Sequence, residues 1–216
     1  NGISLDVSAE DALAIERLPH VKRVVPNRRV EAVLMDAVPG MDTNLVWDMG
    51  YSGTGITVGV IDTGVDYTHP DLGGCLGSGC KVAGGYDFIN QDADPMDDQG
   101  HGTHVAGIIA STDGSGAGAK GMAPGATLLA YKVLNEYGFG STDGVLAGIE
   151  RAVQDGADII SLSLGGVGDP DDPLSEAIDA AVESGVVAVV AAGNSGPWAE
   201  TISSPGTARR AVTIGA

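Results

Sequence analysis

The sequence predicts an α/β domain built on a doubly wound, mostly parallel sheet with helices on both faces. Three observations carry this expectation. β-Branched runs without alternation, such as Ile56–Ile61 and Val186–Ala191, read as strands buried on both faces. Amphipathic helical patterns lie between those runs. Strands that alternate with helices need right-handed crossovers, and therefore parallel neighbours.

Taken in order, residues 5–18 predict a short helix with Ser8 as N-cap, Glu10 and Asp11 in its first turn, and Leu13, Ile15 and Leu18 as apolar positions. Pro19 stops it. The stretches Val21–Pro26 and Val30–Leu34 alternate like half-buried strands. One helix and two strands form a small α+β piece without enough core to stand alone. Residues 35–54, with Pro39, Gly40, Gly50 and Gly53, read as a linker. Beyond Gly55 the expected strands are Ile56–Ile61, Thr127–Val133, Ile159–Leu164, Val186–Ala191 and Ala211–Ile214. The expected helices are His101–Ala110, Thr142–Gln154 ending at Gly156, and Leu174–Ser184 with Asp172 as cap and Gly185 as stop.

Composition narrows the function classes. A chain of 216 residues fits one α/β domain with an appendage, and 43% hydrophobic residues exclude a disordered tail. Aromatics number only nine, so the core must come from Ala, Val, Ile and Leu. Glycine contributes 34 residues, so tight turns and close backbone approaches are expected. The net charge of −18 disfavours nucleic acid and anionic membranes as partners. That charge is uneven. Residues 1–36 hold five basic and six acidic groups, whereas residues 37–216 hold six basic and 23 acidic ones. The apolar run Val186–Ala192 is too short to span a bilayer, and no signal peptide is visible after Asn1. Cys75 and Cys80 close a six-residue loop with two glycines between them. A disulfide is favoured there over a metal or redox pair, because two ligands alone make a poor zinc site. A disulfide would point to an oxidising compartment.

In open α/β sheets, function gathers in the crevice at the carboxyl ends of the strands. Here one strand ends in Asp62-Thr63-Gly64, another runs into Ser163-Leu164-Gly165-Gly166, and another into Ala192-Gly193-Asn194-Ser195. His101, in Gly100-His101-Gly102-Thr103-His104, opens a helix and can project into the same crevice. An Asp, a His, an Asn and glycine-exposed backbone on one rim suit acyl transfer. Asp orients the imidazole, His moves the proton, and Asn donates to a developing oxyanion. The nucleophile is missing, since Ser195 lacks the spacing of a strand-to-helix elbow. His104 reads as a packed helix histidine rather than half of a metal pair with His101, and His69 reads as a turn residue.

These residues resemble the motifs of subtilisin-like serine proteases. Val60-Ile61-Asp62-Thr63-Gly64-Val65 is similar to the family's aspartate motif, and Gly100–Gly107 to its histidine motif. Ser161–Gly166 resembles the substrate-binding strand, and Ala191–Gly196 the oxyanion segment. The resemblance implies that Asp62 is the triad aspartate, His101 the general base and Asn194 the oxyanion donor. It also implies an extended peptide held between Ser163-Leu164-Gly165-Gly166 and Gly138-Phe139-Gly140, where glycines let a substrate backbone approach. The main pocket would be walled by Ser163–Gly165 and Ala191–Gly193, with Ser203 at its far end. Small uncharged walls imply large apolar residues before the cleaved bond.

The same likeness assigns residues 1–36 to the C-terminal part of an inhibitory propeptide, cut between Leu34 and Pro39. Residues 37–216 become the N-terminal portion of the peptidase domain. Its nucleophile sits in a later Gly-Thr-Ser motif, which does not occur in these 216 residues. The expectation is thus a secreted endopeptidase precursor cut short of its serine, inactive as it stands. It would need no cofactor for its chemistry. Calcium is common in the family, and Asp71 matches a position that often helps bind it. The loop Ser111–Lys120 that would supply the other ligands offers one carboxylate, Asp113, and departs from the family's asparagine-bearing loop. That leaves too few donors for an ion that takes 6–8 oxygens. Rival readings are a non-catalytic peptide-binding relative and a metal-dependent hydrolase using Asp62, His101 and His104.

Overall fold

The computed structural model of the chain describes residues 7–21, 24, 38 and 40–215. It divides into two compact units, Asn1–Val33 and Leu34–Ala216. In the first, helix α1 spans Ala9–Glu16, and the Ser8 hydroxyl accepts the Asp11 N–H at 3.1 Å, as an N-cap should. The strands expected over residues 21–26 and 30–34 fall outside the described residues, apart from Val21 and Val24. The expected cut between Leu34 and Pro39 falls outside them too, apart from Val38.

The second unit is a six-stranded parallel sheet in the order β2-β3-β1-β4-β5-β6. The strands are β1 Thr57–Asp62, β2 Val82–Asp87, β3 Thr127–Lys132, β4 Ile159–Leu162, β5 Val187–Ala191 and β6 Val212–Ile214. Helix α2 covers Thr43–Asp48, α3 His101–Ala110, α4 Thr142–Gln154 and α5 Pro173–Glu183. The chain winds one way from β1 through β2 and β3, then the other way from β4. The switch point lies between β1 and β4, where crevices form.

Two apolar layers sandwich the sheet. On one face Ile61, Tyr131, Ile160, Leu162 and Val190 pack against Val145, Ile149 and Ala152 of α4 and Ile178 and Ala181 of α5. On the other, Val58, Val60, Leu128 and Ala130 pack against Ala106 and Ala110 of α3. Each fully buried Val, Leu or Ile contributes about 1.5–3 kcal/mol, so these two layers supply most of the driving force. Successive residues of β1 serve opposite layers, which is why its sequence is apolar without alternation.

Three features depart from the sequence reading. β2 was not expected, because Gly84 and Gly85 dilute its pattern and a register shift interrupts its pairing with β3. The stretch read as a linker contains α2, whose Trp47 indole N–H donates to the Met122 carbonyl at 3.0 Å. β4 stops at Leu162, so Ser163 and Leu164 leave the ladder.

Candidate active site

The pleat of β1 decides where its last residue points. Val58 and Val60 face α3, so Asp62 faces α3 as well, and His101 is the first residue of that helix. The two meet, with His101 Nδ1 2.7 Å from Asp62 Oδ1. The same oxygen accepts the Thr63 N–H at 2.7 Å. A carboxylate facing Nδ1 makes Nδ1 the protonated nitrogen and leaves the Nε2 lone pair available as a base. Asp62 is fully buried, while 45% of the His101 side chain is exposed. Burial pushes the Asp62 pKa up, against the His101 and Thr63 hydrogen bonds that favour its charge. Its Oδ2 is buried without a hydrogen-bond partner among the described residues, so Oδ1 carries both of these bonds.

The loop before α3 fixes the ring. The Asp97 carboxylate accepts N–H groups from Gln99, Gly100 and Thr103, together with the Thr103 hydroxyl. Gln99 Oε1 accepts the His101 N–H at 2.8 Å. Across the junction, Thr63 Oγ1 accepts the Gly102 N–H at 2.8 Å. Gly102 must be glycine, since a Cβ there would lie 2.1 Å from the Gly64 carbonyl oxygen. The His-Gly pair therefore encodes a backbone approach between α3 and the end of β1.

His101 and Thr63 line a cleft of about 470 Å³. One wall is Ser163-Leu164-Gly165-Gly166, which leaves β4 beside β1. The other is Gly138-Phe139-Gly140, in a turn organised by Asn135, whose Oδ1 accepts the Tyr137 and Phe139 N–H groups. Leu134, Val145 and Leu174 also line the cleft, unforeseen from the sequence. They obey ordinary apolar periodicities, and nothing in such a pattern marks a cleft residue.

Of the expected pocket residues, Ser163, Leu164 and Gly165 line that cleft, whereas Ala191–Gly193 and Ser203 lie outside its lining, with Ser203 against Gly165. Ser203 donates its N–H to the Ala192 carbonyl at 2.9 Å, next to Ala191 at the end of β5. A Cβ on Gly165 would lie 2.8 Å from Ser203 Cβ, and one on Gly193 would lie 2.2 Å from Ser203 Oγ. Ser203 thus packs against both walls. Asn194 follows Gly193 in the exposed segment after β5.

Other singled-out residues divide differently. Cys75 and Cys80 form a disulfide, with Cα atoms 5.7 Å apart. His69 Nδ1 accepts the Asp71 N–H at 3.1 Å, capping the 3₁₀ turn Pro70–Leu72 as a turn residue does. His104 is exposed on α3 rather than packed, because at three residues from His101 it stays on the solvent side of the helix. Asp71 Oδ1 accepts the Ser115 N–H, a bond that holds its carboxyl below the usual range despite partial burial. Asp113 Oδ1 accepts the Gly118 N–H. Both carboxylates thus serve the loop's own backbone. Among the described residues no three His, Cys, Asp or Glu side chains cluster as metal ligands. The set does not fit a side-chain calcium site. No helix among them is long and apolar enough to cross a membrane.

Residues 53–216 match the subtilase family. The minor extracellular protease Vpr of Bacillus subtilis is 43% identical, over 100% of this chain and 29% of that protein. Serine protease AprX of the same organism is 40% identical over 91% of this chain and 46% of its own length. Subtilisin DY of Bacillus licheniformis is 40% identical over 83% of this chain and 62% of its own. A solved structure of a cold adapted subtilisin-like serine proteinase superposes with a TM-score of 0.65 at 36% identity, over 76% of this chain and 56% of that one. The chain therefore spans between 29% and 62% of the length of these curated relatives. Matched motifs, a parallel sheet and a joined Asp62–His101 pair agree: this chain belongs to the subtilase family, peptidase family S8.

Proposed function

We propose that the chain is the acid–base and substrate-binding portion of a secreted serine endopeptidase precursor, whose nucleophilic serine is supplied by sequence beyond Ala216. The observation that carries this reading is the 2.7 Å bond between a buried Asp62 and a half-exposed His101 that lines the cleft. In the complete enzyme the serine hydroxyl gives its proton to His101 Nε2 while its oxygen attacks the peptide carbonyl carbon. Asp62 remains ionised and stabilises the imidazolium. The Asn194 amide donates to the tetrahedral oxyanion. His101 then returns the proton to the leaving amine, and water releases the acyl group by the same route.

An extended substrate lies between Ser163–Gly166 and Gly138–Gly140 as an added strand. Its side chain before the cleaved bond enters the pocket closed by Ser203, whose small uncharged walls select large apolar residues. Residues 1–36 act as the end of an inhibitory propeptide, and the Cys75–Cys80 disulfide suits an extracellular location. The chemistry is carried by side chains and needs no cofactor.

The test is to read the frame past Ala216, express the extended protein, and map its cleavage of a denatured protein. Cleavage after large apolar residues with labelling by a serine-directed phosphonate is the expected result. Peptide binding without turnover or labelling would overturn the catalytic reading and leave a peptide-binding relative. A strict demand for Lys or Arg would overturn the pocket assignment alone.

A further inference from the structure

Lys132 ends β3 with 1% of its surface exposed. Leu128 and Ala130 pack in the α3 layer, so Lys132 points to that side and reaches beneath the corner where β1 meets α3. Its Nζ donates to the Thr63 carbonyl at 2.8 Å and to Asp98 Oδ1 at 2.5 Å. Those two partners belong to different segments. Thr63 follows Asp62, gives it an N–H, and accepts the Gly102 N–H on its hydroxyl. Asp98 lies three residues before His101, in the loop that Asp97 ties to the start of α3. Burying an ammonium group costs several kcal/mol, and a buried ion pair commonly stabilises no better than an apolar side chain of equal volume. Stability is therefore a weak reason for a lysine here, whereas joining the two segments is a role that an apolar residue cannot fill.

We infer that Lys132 is a positioning residue for the Asp62–His101 pair, locking the Thr63 carbonyl to Asp98 so that the end of β1 and the start of α3 cannot separate. This rests on reading that pair as the acid–base couple. The test uses the 216-residue chain and the downfield Nδ1 proton resonance of His101, assigned by its loss in His101→Gln. In Lys132→Met this proton is expected to exchange with water at least about tenfold faster, well below the melting temperature. Asp98→Asn keeps the Thr63 contact, so about threefold is expected there. An unchanged exchange rate in folded Lys132→Met overturns the inference, however far the melting temperature moves. Should that variant not fold, an unchanged rate in Asp98→Asn overturns it, since the Asp98 side chain is 47% exposed and its replacement leaves the core intact.

The readout requires no proteolysis. A silent extended enzyme whose proton still depends on Lys132 overturns the activity and keeps the positioning role. An active enzyme with an indifferent proton does the reverse.

Discussion

The corner at the end of β1 and the rim formed by residues 134–140 face one cleft but are held by different means. At the corner, Asp62, Thr63 and Lys132 are buried, and Thr63 uses its N–H, hydroxyl and carbonyl in three separate hydrogen bonds. At the rim, Tyr137 and Phe139 are 72% and 73% exposed, and one asparagine, Asn135, organises the turn through its side chain. The proton transfer proposed for the corner tolerates little displacement, and donors and acceptors fixed by several bonds at once suit it. The glycines of the rim serve its own turn: a Cβ at Gly140 would lie 2.1 Å from the Val133 carbonyl oxygen, and Gly138 has φ +77°.

The corner is most vulnerable at Gly102. Replacing it by alanine drives a methyl group into the Gly64 carbonyl and separates α3 from β1. A loss of about 3 kcal/mol in urea unfolding is expected, with loss of the His101 Nδ1 proton signal.

A smaller effect distinguishes two acids of the same corner. Burial pushes Asp97 up, but the N–H groups of Gly100, Gln99 and Thr103 and the Thr103 hydroxyl outweigh it and hold its pKa below 3.8. Its stabilisation is complete above that value and is lost as pH falls through the lower folded value. Asp97→Asn should thus cost about 2 kcal/mol at neutral pH, with the gap to wild type narrowing below pH 3.8 in a pH series of unfolding curves. Asp62 has the opposite sign. Burial raises its pKa, so its contribution is greatest below 3.8 and declines as pH rises through the folded value.

The smallest effect belongs to the rim. Phe139→Ala should change unfolding stability by no more than about 0.5 kcal/mol, because the ring is solvated. A loss as large as that of Gly102→Ala would show that the rim is braced like the corner.

Much of this was legible beforehand, and the reasons are local. The helix over Thr142–Gln154 has its stop signal in Gly156 and a cap in Ser141, and it appears with those bounds. His101–Ala110 also appears with the expected bounds, although Gly100 offers it no side-chain cap. Asp62 and His101 stand in short motifs whose glycines record close backbone approaches. β2 was hidden because Gly84 and Gly85 supply no side chains to a pattern. Lys132 did leave a signal, a lysine inside the apolar run Thr127–Val133, since lysine is almost never fully buried unless paired. Its partners, Thr63 and Asp98, are 69 and 34 residues away, and no local pattern reaches that far.

The sequence by itself determined the alternation of strands and helices, the caps, and the residue types able to perform acyl transfer. Each depends on neighbours within a turn or a strand. Tertiary structure alone decided strand order, and with it which strand ends share a crevice, since β1 lies between β3 and β4. It also decided that Asp62 is buried and that Lys132 joins Thr63 to Asp98, because burial and long-range hydrogen bonds exist only after segments far apart in the chain have packed together.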